Sequence, residues 1–521
     1  MLDPERIALA SGQQDLFLLS KFGNRHGLIA GATGTGKTVS LQVLAEGFSQ
    51  RGVPVFMADV KGDIAGMSQP ASPSDKLSNR LKLLGISNFQ PAAAPCVFWD
   101  IYGQRGHPLR TTVSELGPIL MARILELNEV QEGVLNVLFR VADEEGLLLL
   151  DLADLRAMLS YVSENAKAIS AKFGLVSSQS IAAVQRSLLG LEDAGGTLFF
   201  GEPAFELQDF FKVSPSGQGV VNIMAAEQLI LKPKLYSTFL LWLLSELFEQ
   251  LPEVGDLDKP RMVFFFDEAH LLFTDAPSSL VQRIEQVVRL IRSKGVGVYF
   301  ITQSPDDVPD GVLRQLSNRI QHALRAFTPR DQKAVRVAAE TFVQNPAFST
   351  AEVITQLGVG EALVSTLQEG GVPGMVQRAF MLPPNSRIGA ISDAERAQVR
   401  TQSPVGGKYD ALVDRESAFE LLTARADAEA APPPPAAPAP GAWGLSWPWG
   451  NQPTTAPPPT PANRRSTPPP IPPRPTARAP STARQRQGVG ETFAKSVMRT
   501  VGSQLGRQVV RGLLGVLTRR R

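Results

Sequence analysis

The chain has 521 residues, 43% hydrophobic and 20% charged, which excludes a single small module and a globally disordered chain and leaves room for several domains at about 150 residues each. One cysteine, Cys96, and four histidines exclude an intramolecular disulfide and a Cys-rich metal site, so a reducing, cytoplasmic setting is expected. The net charge of +2 suggests no polyanionic partner until it is divided: from residue 430 on, thirteen basic residues face one acid, Glu491, giving +12 and leaving −10 for residues 1–429.

The opening residues, MLDPERIALA, carry acids at Asp3 and Glu5 and no long apolar run, against the pattern of a signal peptide. From residue 25 to about 381, short apolar strands alternate with helical stretches, the signature of α/β units around a parallel sheet. The first expected strand, 27–30, enters GATGTGKT (31–38), and a helix over 38–50 leaves it. This is a P-loop in its proper context. Small residues let successive backbone N–H groups turn inward on a helix N-terminus, making an anion nest for phosphates. The candidate nucleotide-binding residues are Gly31, Ala32, Thr33, Gly34, Thr35, Gly36, Lys37, Thr38 and Val39. Lys37 supplies a positive charge to the β/γ oxygens of ATP, and the Thr38 hydroxyl is a ligand for Mg2+.

A second strand is expected over 54–58, and Asp59 beyond it either positions metal or water or caps the turn. With that strand, residues 1–100 read as the first part of an ATPase core. Residues 101–215, with helical periodicity at 113–142 and 153–165, read as a mainly helical insertion. The core resumes over 216–425 with a strand at 219–223 and an apolar stretch at 235–251. Glu246 and Glu249 interrupt that stretch, and it is shorter than the ~20 residues of a membrane span, so it reads as a buried helix.

RMVFFFDEAH (261–270) is a buried strand, expected at 262–266, ending in two carboxylates, as a Walker B strand does. Asp267 is assigned to Mg2+ and Glu268 to the attacking water as general base. The next expected strand, 297–301, ends at Gln303, either a sensor of the γ-phosphate or a cap for the following loop. Arg292, near the end of the preceding helix, is the candidate arginine finger for a neighbouring subunit, with Arg319 and Arg289 as alternatives; the plainer reading is a cation at a helix C-terminus. A strand at 319–324 and a strand pair within 360–383 complete the core. The remaining histidines and Cys96 show no ligand spacing, so no metal beyond Mg2+ is expected.

Residues 430–487 read as a disordered linker, since 19 of the 41 prolines fall between 432 and 480. GAWGLSWPWG (441–450) within it is a docking motif or merely low-complexity sequence. Residues 488–521 carry a basic amphipathic helix: Val497, Val501, Leu505, Val509, Leu513 and Leu517 make one stripe, and Lys495, Arg499, Arg507 and Arg511 lie on another. Its candidate partners are anionic lipid, an acidic protein groove, nucleic-acid phosphate or the chain's own acidic body.

The segments NRHGLIAGATGTGKTVSLQVLAEGFSQRGVPVFMADVKGD, VFFFDEAHLLF and IRSKGVGVYFITQSPDDVPDGVLRQLSNRIQHALRAF together resemble the HerA-like P-loop ATPases of the HerA/FtsK branch, most closely the bacterial YjgR-type group. The resemblance covers roughly residues 1–425. It implies a RecA-like core with an additional strand and a catalytic glutamate, assembled as a hexameric ring with ATP sites between subunits, and relatives that translocate on double-stranded DNA. Carried over, Lys37 and Thr38 match the Walker A motif, Asp267 and Glu268 the Walker B motif, Gln303 the sensor and Arg292 the finger. About 26 residues precede the P-loop strand, leaving little room for the N-terminal barrel of archaeal HerA. The spelling DEAH (267–270) also matches a helicase motif of another superfamily, but no second RecA-like pattern follows Phe327.

Two functions follow as expectations. One is a ring-forming ATPase motor, a DNA translocase or helicase. The other is an ATP-driven assembly or scaffold protein that its basic tail recruits to a membrane or partner.

Overall fold

The computed structural model of the chain describes residues 3–274 and 278–430; the expected linker (430–487) past its first residue and the expected terminal helix (488–521) lie outside the described residues. The strands are β1 (Arg6–Gly12), β2 (Asp15–Leu19), β3 (Gly27–Ala30), β4 (Val55–Asp59), β5 (Cys96–Asp100), β6 (His107–Pro108), β7 (Val221–Ala225), β8 (Met262–Phe266), β9 (Val296–Thr302), β10 (Asn318–Gln321), β11 (Glu361–Ser365) and β12 (Gln377–Met381). They form one sheet in the order β2-β1-β12-β11-β10-β3-β9-β8-β4-β7-β5-β6. From β10 to β6 every pairing is parallel. From β10 outward through β11, β12, β1 and β2 it is antiparallel. The strand that separates the P-loop strand β3 from the Walker B strand β8 is β9, the additional strand of a RecA-like core.

The helices are α1 (Lys37–Gln50), α2 (Asp75–Leu83), α3 (Val113–Ile124), α4 (Glu129–Glu145), α5 (Leu152–Glu164), α6 (Ala166–Phe173), α7 (Ser178–Asp193), α8 (Gly196–Phe199), α9 (Pro233–Gln250), α10 (Ser278–Ile291), α11 (Asp310–Leu313), α12 (Pro329–Glu340), α13 (Thr350–Gln356), α14 (Asp393–Thr401) and α15 (Ala418–Ala430). Six of them, α3–α8, lie between β6 and β7, as the helical periodicity of that region predicts. Among the described residues no helix is long and apolar enough to cross a membrane.

The central strands are continuous apolar runs because both faces are covered. Side chains alternate between faces along a strand, so each run feeds two cores. Met262, Phe264 and Phe266 of β8 enter one core with Leu135, Leu155, Leu188, Leu240 and Val288 of the helices. Val263 and Phe265 enter the other with Leu41, Leu44 and Phe48 of α1. A third, smaller core joins α12 and α13 through Ala338, Ala339, Phe342 and Ile354.

Trp99 ties three segments together. It is fully buried, packs edge-on against Phe205, Phe210 and Tyr409, and donates its indole N–H to Asn222 at 3.0 Å. Asn222 in turn donates to the carbonyls of Val55 and Phe210. Tyr409 belongs to the returning C-terminal segment, whose last helix, α15, packs on α5. Trp99→Ala is expected to destabilise the chain by about 3–5 kcal/mol, since it leaves a cavity and takes away the donor to the Asn222 amide oxygen. Chemical denaturation of the two proteins measures it; a loss below about 1 kcal/mol would contradict this account of the core.

The strands expected at 27–30 and 262–266 have those bounds as β3 and β8, and β4, β7 and β9 differ from expectation by one or two residues. Four strands lack a legible signal. In β1 a register shift between Ala8 and Ala10 breaks the alternation, and β6 is two residues long. β2 and β5 are as long as β4, β7 and β8, so length does not set them apart; their place in the sheet comes from pairing with β1 and β7. The strand expected to reach residue 324 ends at Gln321, because the chain beyond it braces the P-loop: the Ala32 N–H donates to the Ala323 carbonyl at 2.8 Å.

Candidate nucleotide site

Parallel strands deliver their carboxyl ends to one edge of the sheet, where ligand sites of open α/β folds form. Here β3 delivers the P-loop, β8 delivers Asp267 and Glu268, β9 delivers Gln303, and β4 delivers residues 59–63. The pairings of β3 with β9 and of β9 with β8 place these groups side by side.

Two glycines of the P-loop are conformationally required. Gly31 has φ +154°, and a Cβ there would stand 2.5 Å from the Cβ of His322. Gly36 has φ +117° and is the N-cap of α1, a left-handed position that favours glycine. His322 supports the loop from behind: its Nε2 pairs with the Ser40 hydroxyl at 2.8 Å and its Nδ1 with the Glu361 carbonyl at 2.9 Å. Burial, and then the charge of Lys37, push its pKa down to about 4, so it acts as a neutral brace.

Lys37 is 7% exposed, and its ammonium donates to the carbonyls of Gly31 at 2.6 Å and Ala32 at 3.2 Å. Burial lowers its pKa, while Glu268 and Asp267 act in the opposite direction. Asp267 and Glu268 are both buried. The Asp267 carboxyl is pushed up to about 6 by burial and by Glu268 beside it. Glu268 has left-handed backbone, φ 49°, a conformation that costs a non-glycine residue roughly 1 kcal/mol or more. Its carboxylate accepts from Lys61 at 2.5 Å and from the Gln303 amide at 3.4 Å, with His270 Nδ1 also at 3.4 Å. Burial alone would raise its pKa, but the hydrogen bond and charge of Lys61, and then Gln303, hold it below the ordinary carboxylate range.

Thr38 points its hydroxyl at Asp63, 3.5 Å away, and the other Asp63 oxygen is buried with no hydrogen-bond partner. A threonine hydroxyl, an orphaned carboxylate oxygen and the nearby Asp267 carboxylate are hard oxygen donors that fit Mg2+. Asp59 is the turn cap: its carboxylate accepts the N–H groups of Gly62 at 2.7 Å and Ile64 at 3.3 Å. Among the described residues no cluster of three or more His, Cys, Asp or Glu makes a separate metal site.

Lys37, Thr38, Asp267, Glu268 and Gln303 therefore meet at one edge. Arg292 does not join them. It lies in a short turn before β9, beside Arg25 and Asp256, and β9 spans about 20 Å from there to the site. Arg289 is exposed in the last turn of α10, and Arg319 lies on β10 with a guanidinium N–H donated to the Leu313 carbonyl. Three residues at the site, Lys61, Asp63 and His270, escaped the sequence reading. Lys61 and Asp63 follow Asp59 by two and four residues, and His270 follows Glu268 by two, so proximity to motif residues was their only signal.

The family described as Helicase HerA-like C-terminal matches residues 5–521. This chain belongs to that family of P-loop ATPases. Over 120 residues it is 31% identical to a protein of Methanocaldococcus jannaschii named Probable helicase, a match covering 22% of this chain and 21% of that protein. The HerA-like chain thus spans only about a fifth of that relative's length. Among solved structures it is similar to the bacterial conjugative coupling protein TrwB in its unbound form, at 16% identity, TM-score 0.47, 71% of this chain and 88% of that one. The complex of TrwB with ADP and Mg2+ gives 17% identity, TM-score 0.47, and 72% and 88% coverage. VirB4 of Thermoanaerobacter pseudethanolicus gives 15% identity, TM-score 0.46, and 75% and 98% coverage.

Proposed function

We propose that this HerA-like chain is a Mg2+-dependent ATPase that works as a ring-forming, cytoplasmic motor on double-stranded DNA. The observation that carries the reading is the meeting of Glu268 and Gln303 on adjacent strands, β8 and β9, with the P-loop strand β3 on the other side of β9. The P-loop N–H groups and Lys37 hold the β- and γ-phosphates. Thr38 and Asp267, with the Asp63 carboxylate beside Thr38, would hold Mg2+, which would supply charge neutralisation at the phosphate oxygens. Glu268 takes a proton from water as the water oxygen bonds to the γ-phosphorus and the bond to the departing ADP oxygen breaks. Gln303 orients that water or the γ-phosphate. Lys61 holds Glu268 until the reacting water takes its place.

Arg292 stands at the opposite end of β9 from its own P-loop, so as a finger it serves a neighbouring copy, which is what a ring provides. In domain terms, residues 1–100 and 216–425 form the ATPase core, 101–215 the helical insertion, and the basic segment 430–521 the arm that holds an anionic lipid surface or protein partner. The body carries −10, so its DNA contacts are local basic loops rather than an overall field. ATP turnover by the full chain is expected to rise severalfold with linear double-stranded DNA, to grow with DNA length, and to fall as salt is added. A rate indifferent to DNA, its length and salt would remove the translocase part of the reading.

A further inference from the structure

A chamber of about 360 Å3 opens beside the P-loop, lined by Ala32, Thr33, Gln303, Arg325 and Arg330 among others. The first two belong to the phosphate loop, and Gln303 is the residue that meets Glu268. The chamber therefore adjoins the place where a terminal phosphate lies when the P-loop holds a triphosphate.

The acids around the chamber are already committed. Asp307 accepts from the Thr302 hydroxyl at 2.7 Å and the Ser304 N–H at 3.0 Å, and Asp306 accepts from the Ser304 hydroxyl. Asp331 accepts the Thr328 N–H at 2.9 Å in the capping box of α12. The arginines are not committed. Arg325 and Arg330 are exposed, and neither guanidinium makes a hydrogen bond or ion pair among the described residues, though the charge of Arg330 acts on the neighbouring Asp331. Arg330 also stands in the first turn of α12, where the helix dipole disfavours a cation. An anion in the chamber would offset that cost and give both guanidinium groups a partner.

We infer that Arg325 and Arg330 bind the γ-phosphate of the nucleotide held by their own P-loop and so distinguish ATP from ADP. The inference rests on the ATPase reading above and adds two phosphate ligands in cis to it. Guanidinium groups suit the task because each can donate two parallel N–H bonds to phosphate oxygens. The segment carrying them has a route for passing the signal on. It leads into α12, which packs on the Pro305–Asp307 turn after the sensor strand and shares with α13 a small core separate from the two cores on the sheet. A pull on the arginines is thus a pull on a compact, separately packed unit.

The test is equilibrium binding of fluorescent ADP and of a non-hydrolysable ATP analogue to the full chain, its R325A/R330A variant and its R325K/R330K variant. The alanine variant is expected to weaken the ATP analogue about ten- to a hundredfold and ADP less than about twofold. The lysine variant should fall between, with the melting temperature unchanged in both. Unaltered binding of the analogue overturns the inference. Equal weakening of both nucleotides also overturns it, by placing the arginines on a part that ADP and ATP share. Loss of DNA binding with nucleotide binding intact overturns it in favour of nucleic-acid phosphate. Failure of the unaltered chain to bind either nucleotide, with Lys37→Ala as reference, instead brings down the ATPase reading and this inference with it.

Discussion

Glu268→Gln is expected to bind ATP with nearly unchanged affinity and to hydrolyse it about 10²–10⁴-fold more slowly, the range lost when a positioned general base is removed. The substitution keeps the shape of the side chain and an oxygen able to accept from Lys61, so the left-handed backbone at φ 49° and the buried packing survive. What disappears is the carboxylate proposed above to accept the proton of water. The loss corresponds to roughly 3–5 kcal/mol of barrier, at about 1.4 kcal/mol per factor of ten. Single-turnover hydrolysis of labelled ATP, beside a binding isotherm for the same protein, separates the two effects. Turnover within threefold of the parent chain would mean that another group activates the water.

Lys37→Ala is expected to fail one step earlier. The ammonium is the charged donor at the heart of the P-loop, and it now rests on the carbonyls of Gly31 and Ala32. A phosphate group takes over those hydrogen bonds with a full negative charge in place of two dipoles, which is why the lysine favours ATP over the empty loop. Its removal should weaken ATP binding at least about a hundredfold and bring turnover to background. Stability should change little, because the substitution removes a costly buried charge together with its two hydrogen bonds. Calorimetric titration with ATP and a thermal melt on the same sample give both numbers. Retained ATP affinity with a normal melt would show that the nucleotide sits elsewhere.

These two residues were legible for a local reason. A P-loop is a short-range device: the glycines, the lysine and the threonine act within one turn of backbone, and the strand and helix on either side are set by neighbouring residues. The Walker B strand was legible because MVFFF is buried on both faces and so reads as an unbroken apolar run. Gln303 was legible only as a polar residue at a strand end, with its role open. Its approach to Glu268 needs β9 to lie beside β8, and no residue in either strand encodes that neighbour locally.

Lys61 shows the limit more sharply. Seven residues of MADVKGD drew attention to Asp59, the most buried acid in the group, and the structure spends Asp59 on two N–H groups of its own turn. The residue two positions further on reaches Glu268, 207 positions away in sequence. Arg325 and Arg330 were missed for a related reason: arginines near the start of a helix are ordinary, and only the chamber beside the P-loop distinguishes them.

By itself, then, the sequence determined the chemistry: a phosphate loop, two carboxylates on a buried strand, an α/β core and a split of charge between body and tail. Each is a property of contiguous residues, decided by local backbone preference, apolar periodicity or composition. Only the tertiary structure decided the company those residues keep: β9 between β3 and β8, Lys61 and Gln303 on Glu268, Asp63 opposite Thr38, and Arg292 at the far end of its strand. Strand order and register are set by the summed packing of two cores across hundreds of residues, and that sum is not contained in any one segment.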